Sequence, residues 1–172
     1  MSESAMRILI TGGAGCLGSN LIEHWLPQSH EIYVIDNFAT GKREVVPEVK
    51  GLTVKEGTIA DAALVNECFS TFKPDIVIHA AAAYKDPNDW VEDARTNVIG
   101  SAHVARAAKA HGVKRLINFQ TTLCYGRPQQ LPILASHPTA PFTSYGITKT
   151  AGEQFMILSG VPTLSLRIAN VT

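Results

Sequence analysis

No charge of one sign dominates this sequence of 172 residues: fifteen Lys and Arg stand against fifteen Asp and Glu, and the formal net charge is zero. The basic excess with which a nucleic-acid binder neutralises phosphates is therefore missing, and binding to an anionic lipid surface is disfavoured for the same reason. Cysteine is scarce. Cys16, Cys68 and Cys124 are odd in number and show no CxxC spacing, which argues against a disulfide framework or a zinc site. The six histidines form no ligand cluster along the chain, and no metal is expected. No run of about eighteen apolar residues is present, and the opening six residues lack the basic and apolar regions of a signal peptide. A cytoplasmic protein that neither crosses a membrane nor is secreted is the expectation. The length suits one ordinary domain, large enough to bury roughly 70% of the unfolded surface and to be held by packing alone.

What is present is an alternation of short β-branched apolar runs with longer helical patterns, the mark of βαβ units around a parallel sheet. Six strands are expected, at Arg7 to Thr11, Glu31 to Ile35, Leu52 to Glu56, Ile76 to His79, Arg115 to Gln120 and Thr163 to Ile168. Several are too uniformly apolar for a half-exposed antiparallel sheet, so burial on both faces follows. The fold class is thus α/β, a doubly wound parallel sheet with helices on both faces, and residues 1–172 read as one compact unit. Helices begin near Leu17, Asp61, Val91 and Ser144, with Asp61 and Ser144 suited to capping free backbone amides. In the third, Ala94, Val98, Ala102, Ala105 and Ala108 form a narrow stripe of small side chains, and His111-Gly112 closes the helix. Between Asn37 and Gly51 a loop with one helical turn is expected, and Gly126 to Phe142, with four prolines, is the longest irregular segment.

Directly after the first strand comes Thr11-Gly12-Gly13-Ala14-Gly15-Cys16-Leu17-Gly18, running into an apolar helix. In that context the glycines have a purpose. A tight turn needs a residue without Cβ at Gly12, close approach of a pyrophosphate needs a bare backbone at Gly15, and Gly18 lets the helix lie against the sheet. The helix start at Cys16 and Leu17 then offers free amides and a positive dipole end to the phosphates. A dinucleotide cofactor is implied. The second strand ends in Asp36-Asn37, where a carboxylate can accept from both adenosine ribose hydroxyls and repel a 2′-phosphate. NAD is favoured over NADP, although Lys42 and Arg43 stand near enough in sequence to accommodate the extra phosphate. Tyr145 and Lys149 lie four apart, on one face of the last predicted helix. An ammonium beside a phenol favours the phenolate and would lower the Tyr145 pKa toward the operating pH of a general base. A surface Tyr and Lys at helical spacing is the plainer alternative.

Taken together, Thr11 to Gly18, Asp36, Ile78-His79-Ala80-Ala81, Asn97, Thr121 to Gly126 and Tyr145 to Lys149 resemble, in this order, the extended short-chain dehydrogenase/reductases, specifically the nucleotide-sugar epimerases and dehydratases. Through Ala82 to Pro87, Gln120 to Gly126 and Pro141 to Lys149 the chain looks most like UDP-glucose 4-epimerase-like proteins of bacterial lipopolysaccharide O-antigen synthesis. The resemblance implies an NAD-dependent epimerase in which Tyr145, Lys149 and Thr121 are catalytic, with Thr122 in place of Thr121 if the alignment slips by one. It adds Asn37, Ile59, Ala80, Ala81 and Asn97 to the cofactor site, Asn97 being equally readable as a capping or packing residue. Lys85 and Asn170 join the substrate side. Two departures matter. Where dehydratases carry an Asp-Glu pair the chain has Thr122-Leu123, which favours epimerisation or simple oxidation, and Thr58 follows Gly57 where an Asp usually contacts adenine. Members of the family continue for a comparable length with a C-terminal substrate domain. A homodimer through the third and fourth helices is also implied, with the small-residue stripe as its candidate face. A non-catalytic NAD-binding module is the rival reading. His79 and Cys124 are read as structural, since neither has an evident partner in catalysis.

Overall fold

The computed structural model describes residues 5–169. Six strands, β1 (Arg7–Thr11), β2 (Glu31–Asp36), β3 (Leu52–Glu56), β4 (Ile76–His79), β5 (Arg115–Thr121) and β6 (Thr163–Ile168), form one sheet in the order β3-β2-β1-β4-β5-β6. All its pairings are parallel. The helices are α1 (Cys16–Trp25), α2 (Ala62–Phe72), α3 (Trp90–Asp93), α4 (Ser101–Ala110) and α5 (Ser144–Leu158). None of them is long and apolar enough to cross a membrane.

Alternation along the strands sorts the core into two layers. Leu9, Ile35, Val77 and Leu116 face Val65, Phe69, Val104, Ala105 and Met156 from α2, α4 and α5. Ile8, Ile10, Ile32, Val34 and Ile78 face Ile22 and Trp25 of α1. Burial on both faces thus holds for the central strands; β6, at the sheet edge, leaves Leu164 and Leu166 exposed. The turn foreseen between Asn37 and Gly51 is a single 3₁₀ turn at Arg43–Val45, and Asp61 caps α2 through the amides of Ala63 and Leu64.

Three expectations need correction. The third predicted helix is a continuous rod interrupted by a π-helical stretch at Ala94–Gly100, which joins α3 to α4; such stretches are frequent at functional sites. The last helix is capped by Thr143, whose hydroxyl accepts from the Gly146 amide at 3.1 Å. Ser144 instead donates to buried Asp93 at 2.6 Å. Finally, Ala105 and Ala108 of the small-residue stripe lie in the chain's own core beneath α2 and α5, so they are not free for a second subunit.

Candidate active site

Strand order reverses between β1 and β4, and the carboxyl ends of the strands leave a crevice at such a switch point. Here it is a cleft of 1110 Å³. Its first wall is the turn after β1. Gly12 has φ +72°, and a Cβ there would stand 2.6 Å from the Ala81 amide nitrogen, so the neighbouring loop and the backbone both require glycine. A Cβ on Gly18 would meet the Gly13 Cα at 2.6 Å, which is the close helix packing expected of it. Gly15 is different. Its Cβ would meet only the Gly12 carbonyl oxygen, at 3.3 Å, and otherwise enter the cleft. No side chain caps α1 and no acid occupies its first turn, so the amides at Cys16 and Leu17 remain for an anion.

Asp36 closes this end. Its Oδ2 accepts from the Ala14 amide and its Oδ1 from the Phe38 amide, both at 2.8 Å, which ties the glycine turn to the end of β2 and leaves each oxygen a second lone pair toward the cleft. Asn37, Thr58, Ile59, Ala80 and Ala81 complete the walls. Arg43 does not line the cleft; it pairs with Glu48 at 3.1 Å and donates to the Val46 carbonyl.

The other end holds the predicted chemistry. Tyr145 and Lys149 of α5, Thr121 at the end of β5 and Lys85 all line the same cleft. The Thr121 hydroxyl accepts from the Leu123 amide at 3.2 Å and keeps its own proton to donate. Thr122 does not line the cleft and lies instead in a separate depression with Glu153 and Arg167. Asn170 lies outside the described residues. Asn97 does not line the cleft, contrary to its place among the cofactor residues. Its amide oxygen accepts from the Ala83 amide and its nitrogen donates to the Ala83 carbonyl, each at 2.9 Å, and to the Thr148 hydroxyl at 3.1 Å. It therefore fixes the loop before Lys85 against the turn that carries Tyr145.

Electrostatics correct a further expectation. Tyr145 is held above its ordinary pKa by burial first, then by Tyr84 and Asp93. Tyr84 sits edge-on to it, ring centroids 6.4 Å apart. Burial also brings Lys149, 4% exposed, down to about 8, against an opposing pull from Glu153. Asp93, Glu92 and Thr96 line the cleft beside Tyr145 and were not foreseen. Their signal was available: Asp89, Asp93 and Thr96 recur at helical spacing as a polar stripe.

Behind the cleft a directed chain of hydrogen bonds fixes His79. Ser101 donates to the Asn97 carbonyl at 2.6 Å, so its oxygen is left to accept from His79 Nε2 at 3.0 Å. Nδ1 then accepts from the Thr11 hydroxyl at 2.8 Å. The ring is a neutral structural link, as read from the sequence, and burial lowers its pKa to about 3. Since the unfolded state takes up this proton near pH 6.5 and the folded state does not, stability is complete above that pH and falls toward pH 3. Urea unfolding at pH 5 should give a free energy about 2 kcal/mol below that at pH 7, a slope that His79→Gln should remove.

The chain is similar to known proteins over most of its length. UDP-glucose 4-epimerase of Halalkalibacterium halodurans is 37% identical over 155 residues, covering 87% of this chain and 45% of the relative. That of Corynebacterium glutamicum is 35% identical over 176 residues, covering 96% and 51%. The chain spans about half the length of the curated relatives it matches. The Bordetella bronchiseptica enzyme WbmG, solved in complex with NAD, is 70% identical with a TM-score of 0.97, covering 98% of this chain and 55% of that one. Residues 8–172 match the model of one family, and the chain belongs to it: the NAD dependent epimerase/dehydratase family.

Proposed function

We propose that this chain is the cofactor-binding and proton-transferring part of an NAD-dependent nucleotide-sugar epimerase acting on a UDP-hexose. The observation that carries the reading is that one cleft is lined both by the glycine turn with Asp36 and by Tyr145, Lys149 and Thr121. The residues suit NAD. Gly15 leaves room that a Cβ would fill, the uncapped start of α1 suits a pyrophosphate, and Asp36 keeps lone pairs for ribose hydroxyls. When bound, NAD would supply a hydride acceptor that returns the hydride to either face of the sugar. Tyr145 Oη would take the proton from the sugar hydroxyl, Thr121 would donate to the reacting oxygen, and Lys149 Nζ would hold the nicotinamide ribose. Lys85 offers the substrate a cation at the mouth.

Epimerisation is preferred to dehydration because Thr122-Leu123 carries no acid or base and the curated relatives above are named 4-epimerases. We place the protein in the cytoplasm, in O-antigen synthesis, as a homodimer through the faces of the α3–α4 rod and α5 that remain exposed, around Ile99, Ile147 and Phe155. We assign the chain to the NAD-binding Rossmann domain. The rival is a binding module without turnover. Hydride exchange with UDP-hexoses, in this chain and in one extended to the relatives' length, separates the two. Cofactor choice is a direct test. NAD should bind about 10²-fold more tightly than NADP, since Asp36 would face the 2′-phosphate as a like charge. Asp36→Asn should reduce that ratio below about tenfold, read by calorimetric titration of both dinucleotides.

A further inference from the structure

We infer that Gln120 is a positioning residue: its buried side-chain amide ties the end of β5 to the turn of α5 that carries Lys149, and so sets the place from which the Thr121 hydroxyl faces the cleft. The tie begins where the sheet runs out. β4 ends at His79, opposite Asn118, whereas β6 continues to Ile168, opposite Thr121. Past Asn118, β5 therefore has a neighbouring strand on one side only. The Thr121 amide is satisfied by Gln120 Oε1 at 2.8 Å, as a backbone donor away from water must be. Gln120 Nε2 donates to the Lys149 carbonyl at 3.0 Å and to Glu153 Oε2 at 3.2 Å. The joining side chain is sealed from solvent, 3% exposed.

Chemistry allows this amide one orientation. Nε2 faces a carbonyl and a carboxylate, which only accept, while Oε1 faces an N–H, which only donates. A glutamate of the same shape would set a second carboxylate against Glu153 and the Lys149 carbonyl, and an apolar side chain would make none of the three bonds. Glu153 has its charge partner elsewhere. Arg167, opposite Gln120 on β6, approaches it at 3.4 Å. Arg167 is itself held over the Tyr125 ring, 5.0 Å from the centroid, and donates to the Ala135 carbonyl at 3.2 Å. At the other end of this seam the turn after Thr121 lies against the start of α5, where a Cβ on Gly146 would meet the Leu123 carbonyl at 2.9 Å. Thr121 is thus held between two contacts with α5, and without Gln120 only the second is left.

The tie is measurable in this chain without any ligand. Hydrogen exchange of the Thr121 amide, read by ¹H–¹⁵N NMR relative to the Asn118 amide of the same strand, should be at least about tenfold faster in Gln120→Met, which keeps the length but no polar atom. Gln120→Asn, which keeps the amide but is one carbon short, should behave alike. Arg167 still pairs with Glu153 in both variants, so neither leaves a buried charge alone. Exchange within about twofold of the parent in either folded variant overturns the inference. The consequence for turnover rests on the proposed function. In a chain of the relatives' length, Gln120→Met should slow single-turnover reduction of bound NAD by about tenfold or more, with NAD affinity and the half-saturating UDP-hexose concentration within about threefold. Thr121→Val should slow it too, and the double variant should match Thr121→Val within about threefold, because an effect passed through the Thr121 hydroxyl disappears with it. Losses that multiply in the double variant would make Gln120 a general support of the fold and overturn its positioning role. Faster exchange in Gln120→Met with full rate in Thr121→Val would keep the tie and reject the role given to Thr121.

Discussion

Tyr145→Phe should lower hydride exchange with UDP-hexoses by about 10²- to 10⁴-fold, the usual contribution of a positioned acid-base group, while changing NAD affinity by less than about threefold. The substitution removes one oxygen. The ring stays, and with it the edge-on contact to Tyr84 and the turn that Asn97 and Thr148 brace. Loss of rate with retained binding is therefore specific to the hydroxyl. In the ligand-free protein that hydroxyl is a poor base, since burial, Tyr84 and Asp93 all favour the neutral phenol. Positive charge is what it lacks, and Lys149 is the cation nearest in sequence on its helix face. Rate should accordingly fall as Lys149, which burial brings down to about 8, loses its proton. Single-turnover reduction of enzyme-bound NAD, followed at 340 nm in a chain of the relatives' length, reads both effects. Turnover of Tyr145→Phe within a few-fold of the parent would reject Tyr145 as the base.

Much of this arrangement was legible because parallel strands buried on both faces read as apolar runs, and β1, β3, β4 and β6 fall at the expected residues. The glycine turn was legible because its spacing follows from backbone geometry, which acts within a few residues. What escaped came from contacts between distant residues. The stripe from Ala94 to Ala108 reads the same whether the rod is α-helical throughout or widened at Ala94–Gly100, where Gly152 of α5 packs closely against the Asn97 carbonyl. Thr143 and Ser144 are equally good caps locally; Asp93, fifty-one residues before Ser144, decides between them. The shift of Tyr145 was misjudged for the same reason. Lys149 is visible four residues away in the sequence, whereas Tyr84 and Asp93 reach the phenol only through the fold.

The two glycines of the turn should separate folding from binding. Gly12→Ala places a side chain at φ +72° and drives its Cβ to 2.6 Å from the Ala81 nitrogen and 2.7 Å from its Cα, both backbone atoms that cannot swing aside. Left-handed backbone costs about 1–3 kcal/mol and overpacking a further 1–3, so a loss of about 2–6 kcal/mol is expected. For a domain of this size that corresponds to a melting temperature lower by roughly 5–20 °C. Gly15→Ala has no such burden. Its backbone, φ −77° and ψ 171°, suits any residue, and the single contact of the new Cβ is the Gly12 carbonyl oxygen at 3.3 Å. Stability should change by less than about 1 kcal/mol. The methyl group instead occupies the approach to the amides of Cys16 and Leu17, where a pyrophosphate must come within hydrogen-bonding distance of bare backbone. NAD affinity should fall at least about 10²-fold, and enlarging the side chain in Gly15→Val should abolish it. Thermal unfolding with and without NAD reads both quantities at once, because a ligand that binds only the folded state stabilises it by RT ln(1 + [L]/Kd) and so raises the melting temperature. If Gly15→Ala kept the full NAD-dependent rise, the start of α1 would not be the phosphate site, and the cleft would have to hold its ligand by the far wall alone.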